Sequence, residues 1–395
     1  MLHEAGTPAH RLEGLIQSCA DRLGLRVTVF SLPTWIHISF GEVGAQRTVN
    51  FRVDPGSPKL AMLEESYLVA DRVARGELDA EQALTALARV RSRLTRPGVV
   101  LGCIGYALFS AGAAFFLGGG WGEMAAAFPT GFVVGAAIAV ASGRRERELL
   151  AEFAAALVGT VVASLVALAF GRLGDQPSAA IVSLAGLCTL LPGLSLATAM
   201  TELSTRNLAS GSARLIGAIT TLVVVGMGAG IGERLAHALG LPERSSFVVP
   251  VTQTAGLSLP LAAALAAISA GLAIVFHARP RRAGLVVVSC VAGWVAVRTA
   301  RGLGGPELAP ILAAAVVGML GNLYARVRRR PTLAIVLPGL ALLLPGSIGF
   351  RGMQGLITSD TLAGLNTAIS ALVVAASIAA GLLVANALLP SPRHV

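Results

Sequence analysis

The sequence predicts a polytopic α-helical membrane protein, with ten transmembrane helices as two inverted five-helix repeats and a small α+β cytosolic N-terminal domain. Three observations predict it. Charged residues are only 13% of the 395 and hydrophobic residues 54%, whereas an ordinary soluble domain is about one quarter charged. After Pro97 the chain becomes a series of apolar runs of roughly 17 to 25 residues, the length that crosses about 30 Å of hydrocarbon. A Pro-Gly pair, Pro192-Gly193, recurs as Pro345-Gly346 within similar surroundings. The chain divides into a domain over 1–97, a first five-helix half over 98–250 and a second over 251–395.

Residues 1–97 hold 12 of the 31 basic and 11 of the 21 acidic residues, so this region is near neutral and normally charged. Leu12, Leu15, Ile16, Cys19 and Leu23 recur at helical spacing between Ala9 and Leu23. Alternating runs at Arg26 to Ser31, Trp35 to Phe40 and Gln46 to Val53 then read as a three-strand meander. A helix from Lys59 to Arg75 stops at Gly76, and Asp79 with Gln82 three residues later has the pattern of a capping box that opens another. No apolar leader precedes the first helix, since Glu4, Glu13 and Asp21 interrupt the first stretch, so the expected N-terminus is cytosolic.

The ten apolar runs lie near 98–118, 122–142, 150–170, 178–199, 212–232, 258–276, 283–299, 308–325, 332–350 and 362–388. Residues 240–257, with polar Ser245, Ser246, Thr252, Gln253 and Thr254, read as a long connection. With the N-domain inside, 13 of the 19 arginines of the membrane region fall in inner loops and 6 in outer loops. That asymmetry predicts both termini in the cytoplasm, and the cytoplasmic membrane is the expected location. It also accounts for the net charge of +10, which therefore calls for no nucleic-acid partner. Cys19, Cys103, Cys188 and Cys290 are far apart and form no CxxC pair, so neither disulfides nor a metal site is expected, and no cofactor.

The segment "SLAGLCTLLPG" at 183–193 aligns without gaps on "VLPGLALLLPG" at 336–346, an offset of 153 that also carries Met200 to Met353, Leu203 to Leu356 and Gly211 to Gly364. Five spans per half is an odd number, so the second half enters the membrane with the opposite orientation. This is the plan of many secondary transporters, in which corresponding helix breaks mark the substrate site.

At these residues the chain resembles the threonine/serine exporter family, from about Leu12 to about Leu388. The resemblance rests on the N-domain, the first "LLPG" followed by the polar "TELSTRNLASG", and the second "LPG" in five more spans. It implies a fused, single-chain secondary-active exporter of threonine and serine driven by the proton motive force. Split members of the family are associated with succinate export, so a small dicarboxylate is the alternative substrate. A two-component ancestry permits a homo-oligomer.

A pore for a small zwitterion needs hydroxyls and exposed backbone groups at mid-membrane. The candidates are Thr189, Pro192, Gly193 and Ser195 in the fourth span and Pro345, Gly346 and Ser347 in the ninth. Proton coupling calls for an ionisable side chain away from lipid, and the candidates are Glu202, Asp360 and Glu152. Arg206 and Arg351, each following a Pro-Gly segment, are candidate carboxylate clamps. Asn322 is expected to bridge helices. An intramembrane enzyme and an ungated channel are the readings from other classes. The first lacks an evident partner for Ser195, because His237 and His277 fall at span ends.

Overall fold

The computed structural model describes residues 1–42, 44–53, 56, 58–93, 98–141, 148–174, 176–241, 258–343, 345–357 and 361–391. The N-terminal unit has the expected elements. Helix α1 (Ala9–Arg22) buries Leu12 and Leu15. Strands β1 (Val27–Leu32), β2 (Trp35–Phe40) and β3 (Arg47–Arg52) form an antiparallel meander in the order β1-β2-β3, with Leu32 opposite Trp35 across the first turn. Helix α2 (Leu60–Ala74) leads into α3 (Ala80–Arg93). The capping box is formed: Gln82 N–H donates to Asp79 Oδ1 at 2.8 Å and Asp79 N–H to Gln82 Oε1 at 3.3 Å.

The remainder is helical: α4 (Val99–Phe116), α5 (Trp121–Ala141), α6 (Glu148–Arg172), α7 (Ala179–Leu187), α8 (Gly193–Ser204) and α9 (Leu208–Ala238) are followed by α10 (Leu259–Val275), α11 (Ala283–Arg328), α12 (Leu333–Ala341), α13 (Pro345–Ile357) and α14 (Thr361–Leu388). Among the described residues eight segments are long and apolar enough to cross a membrane, with α12 and α13 taken together and α11 supplying two, Pro280–Leu303 and Leu308–Arg328. Helix α10 is apolar but only 17 residues long.

Two segments differ from continuous spans. The predicted fourth span is two short helices, α7 and α8, because the chain tightens after Leu187. Leu190 N–H donates to Leu187 O at 2.8 Å and Gly193 N–H to Leu191 O at 2.8 Å, and Pro192, which has no N–H, stands as the N-cap of α8. The predicted ninth span is likewise α12 and α13, with Pro345 as the first residue of α13, where a missing N–H costs nothing. Asp360, the inner loop over 143–147 and residues 242–257 of the predicted long connection lie outside the described residues.

Helix α11 has 46 residues, about 69 Å if straight, yet it is not straight. A Cβ at Gly339 would lie 2.6 Å from Val317 Cγ1 and 2.9 Å from Ser289 Oγ. Those two residues are 28 positions apart, roughly 42 Å along a straight helix. The chain therefore doubles back between them and supplies two antiparallel spans, at the places expected from the sequence.

Every residue of α7 is buried, and so is nearly all of α12. A helix that is apolar on all sides belongs inside a protein, and these two are the centre of the helix assembly. Helices α6, α9 and α14 instead leave large apolar side chains such as Leu165, Ile216 and Val373 exposed, the surface that lipid covers. Small residues let the helices approach: a Cβ at Gly112 of α4 would lie 2.7 Å from Ala264 O of α10. Asn322 bridges α11 and α14 as expected, its Nδ2 donating to Asn386 Oδ1 at 2.9 Å and to Leu389 O at 2.8 Å. The four cysteines are free, and Cys103, Cys188 and Cys290 are buried.

Candidate functional site

The two Pro-Gly breaks, 153 residues apart in the chain, meet. A Cβ on Gly346 would lie 2.9 Å from Leu191 Cβ, 3.0 Å from Gly193 N and 3.2 Å from Gly193 Cα. Helices α8 and α13 both start here, so the positive ends of two helix dipoles and their first-turn N–H groups converge. Helices α7 and α12 end here, bringing their last-turn carbonyls, of which Leu187 O and Leu340 O accept from Leu190 N–H and Leu343 N–H. A small, partly open cavity of about 90 Å³ lies at this junction. Its wall includes Cys188, Thr189, Gly193, Phe276, Gly346 and Ser347.

Four of the seven candidate substrate residues thus line one space. The Thr189 hydroxyl is buried with no hydrogen-bond partner among the described residues, which makes it available to a ligand. Ser347 is buried on the opposite break. Pro192 and Pro345 set the starts of α8 and α13, whereas half-buried Ser195 is not part of the wall. Arg351, one turn beyond Ser347, donates from Nε to Ser347 O at 3.4 Å. Among the described residues no carboxylate pairs with it. Arg206 is exposed in the turn between α8 and α9, at φ 62°, and does not line the cavity.

The carboxylate candidates separate. Glu152, on α6, is hydrogen-bonded to Thr221 of α9, and its Oε2 is buried without a partner among the described residues. Glu202 is fully buried, but at the seam with the N-terminal unit. Its Oε1 accepts from Ala9 N–H at 3.0 Å and from an Arg214 guanidinium nitrogen at 3.2 Å, and its Oε2 accepts from Ser210 Oγ at 2.9 Å and Arg214 Nε at 3.2 Å. A carboxylate at the N-terminus of α1 satisfies one of the four N–H groups a helix start leaves open.

Around it the seam is polar and tightly held. Arg11 donates to Thr332 Oγ1, Leu60 N–H donates to Phe276 O at 2.8 Å, and Arg279 pairs with Glu65 at 2.6 Å. Burial, and then the charge of Arg11, push His10 down to about 4 from 6.5, so its ring is neutral there. Burial raises Glu64 above the usual carboxylate range against the pull of Arg282, 3.8 Å away. Sequence reasoning missed Arg214, Thr332 and Phe276 as functional positions. Arg214 lies three residues past the polar run "TELSTRNLASG", close enough for that run to point to it, while an apolar Phe276 at a helix end carries no such signal.

Residues 1–236 match the threonine/serine exporter family model, and residues 260–388 match a second model described as "Threonine/Serine exporter, ThrE". The chain belongs to the threonine/serine exporter family. A Corynebacterium glutamicum relative named threonine/serine exporter is 27% identical over 406 residues, covering 96% of this chain and 78% of the relative. Pheromone-regulated membrane protein 10 of Debaryomyces hansenii is 25% identical over 377 residues, 92% of this chain but 36% of the fungal protein. The same-named Saccharomyces cerevisiae protein is 24% identical over 387 residues, 92% and 48%. The chain therefore spans less than half the length of these fungal relatives. No solved structure matches it. It is a multi-pass membrane protein of that family, with eight candidate spans among its described residues, and the cavity between the breaks is the candidate site.

Proposed function

We propose that this chain is a secondary-active exporter of small hydroxy amino acids, threonine and serine, working by alternating access around the paired Pro-Gly breaks. One observation carries the reading: the two breaks meet at one cavity with a converging pair of helix N-termini and, among the described residues, an unengaged threonine hydroxyl and an arginine, bonded to the backbone of wall residue Ser347, that no carboxylate pairs with. The N-termini and Arg351 suit a carboxylate, the carbonyls ending α7 and α12 suit an ammonium, and Thr189 with Ser347 suits a hydroxyl. A dicarboxylate would need a second cation, and none lines the cavity among the described residues.

The ten-span, inverted-repeat plan is supported by contacts that recur between the halves. A Cβ at Gly211 would meet Leu203 N at 2.9 Å and Ala199 O at 3.0 Å, and one at Gly364 would meet Leu356 N at 2.5 Å and Gly352 O at 3.0 Å. All three pairs of positions differ by 153. Gly228 seats on Phe153 O and Ala156, and Gly381, again 153 later, on Ile311 O and Ala314. In this plan α10 and the α7–α8 pair complete the ten, and the N-terminal unit is cytosolic. Its docking on Arg279, Arg282 and the Glu202–Arg214 pair agrees with an arginine-rich inner face. Export is driven by protons, with Glu152 as the coupling carboxylate, since Glu202 has both oxygens engaged at the seam.

Proteoliposomes loaded with threonine, serine or succinate test the reading by counterflow with and without a pH gradient. Threonine and serine should exchange and respond to the gradient. Movement of succinate alone would overturn the substrate, and flux without saturation would favour a channel.

A further inference from the structure

The N-terminal unit touches three of the helices that wall the cavity, α8 and α12 at the ends facing away from the breaks and α10 at its cavity end. Ala9 N–H is bonded to Glu202, in the last turn of α8, whose first residue, Gly193, lines the cavity. Arg11 is bonded to Thr332, which precedes α12, whose last residue, Ala341, lines the cavity. Leu60 N–H is bonded to the carbonyl of Phe276, itself part of the wall. Leu60 and Leu63 belong to the same buried apolar cluster as Leu272, Phe276 and Leu337.

Ala9 and Arg11 are two residues apart on the first turn of α1, yet they hold the two halves: α8 in the first and α12 in the second. Helices α8 and α12 are the arms of the two broken pairs that run from the cavity to this face. Separating them, the movement that would open the cavity on this side, breaks at least one of the two bonds.

We infer that the N-terminal unit is the inner gate of the transporter: α1 latches the inner arms of both broken helices together, α2 holds Phe276 over the cavity, and loading from the cytosol requires α1 to let go. The inference rests on the transporter reading for its direction, but its central claim concerns access and can be read without a substrate. Ala9→Pro removes the N–H that Glu202 accepts, at a helix start that tolerates proline. Arg11→Ala removes the bond to Thr332.

The reporter is native Cys188 in the cavity wall, in a chain with the other three cysteines replaced by serine. A buried thiol reacts only when water reaches it. In inside-out vesicles a membrane-impermeant maleimide should modify Cys188 slowly in the parent. Each single variant should react about five- to tenfold faster, the population shift that follows from losing one net hydrogen bond, and the double variant faster still. In right-side-out vesicles the double variant should react no faster than the parent, because a latch that releases one side does not open the other.

Unchanged rates from the inner side would overturn the gate. A rise of equal size from both sides would also overturn it, since that marks a loosened fold. If another solute proves to be the substrate, the labelling result stands and only the proposed function falls.

Discussion

Gly346 seats directly against Gly193, its Cβ position 3.0 Å from the Gly193 nitrogen. The contact is backbone to backbone, so no rotamer change can relieve an added side chain. It ties the start of α13 to the start of α8 and sets the floor of the cavity.

Gly346→Val should therefore lower threonine counterflow by tenfold or more, at an overpacking cost of about 1 to 3 kcal/mol that leaves the helices inserted. Counterflow alongside size-exclusion behaviour in detergent checks this. A variant that exchanges at the parent rate would remove the junction from the transport path.

Arg351→Gln should raise the half-saturation concentration for threonine about 10- to 100-fold, because a hydrogen bond to a charged group contributes about 1.5 to 3 kcal/mol. The matching amino alcohol, which lacks the carboxylate, should bind both forms alike. Competition by the two compounds separates a clamp from a structural arginine, which would weaken both.

Thr189→Val should leave stability unchanged or slightly improved, since the hydroxyl has no partner to lose among the described residues. Discrimination between threonine and its analogue without the hydroxyl should shrink. Retained discrimination would place hydroxyl recognition elsewhere.

His10 makes stability depend on pH. Its folded value is about 4 and its ordinary value 6.5, so between those limits the unfolded chain binds more protons. The stabilisation is complete above about 6.5, declines as the pH falls toward about 4 and amounts to ~3 kcal/mol at most. The unfolding temperature of the parent should fall more steeply across that window than that of His10→Gln. Parallel curves would show that the ring titrates alike in the folded and unfolded chain.

Gly211→Ala and Gly364→Ala should destabilise the chain by similar amounts, because each added methyl meets the corresponding backbone atoms of a preceding helix. Costs that differ by much more than about 1 kcal/mol would argue against equivalent halves.

Much of this was legible in the residues. The capping box at Asp79 and Gln82 formed as written, because both partners lie within one turn of chain. The three strands fell where alternation placed them. The two spans of α11 were visible as separate apolar runs although helical geometry continues between them. The Pro-Gly pairs identified the break points, since proline removes a donor and suits a helix start. The surroundings of Glu202 were not legible, for a physical reason: a carboxylate beside a helix break looks the same in sequence whether it faces a cavity or a docking domain, and its partners Ala9 and Arg214 are 193 and 12 residues away.

What the sequence determined by itself is local or statistical: a membrane chain from its scarcity of charge, element positions from hydrophobic period, the family from motifs, and two related breaks from their matching context. What only the tertiary structure decided is which distant groups share space. Gly346 meets Gly193, Thr189 keeps its hydroxyl unengaged among the described residues, and α1 spans α8 and α12, because helices that are apolar on all sides must pack inward. That packing brings together backbone and side-chain atoms whose separation along the chain carries no record of it.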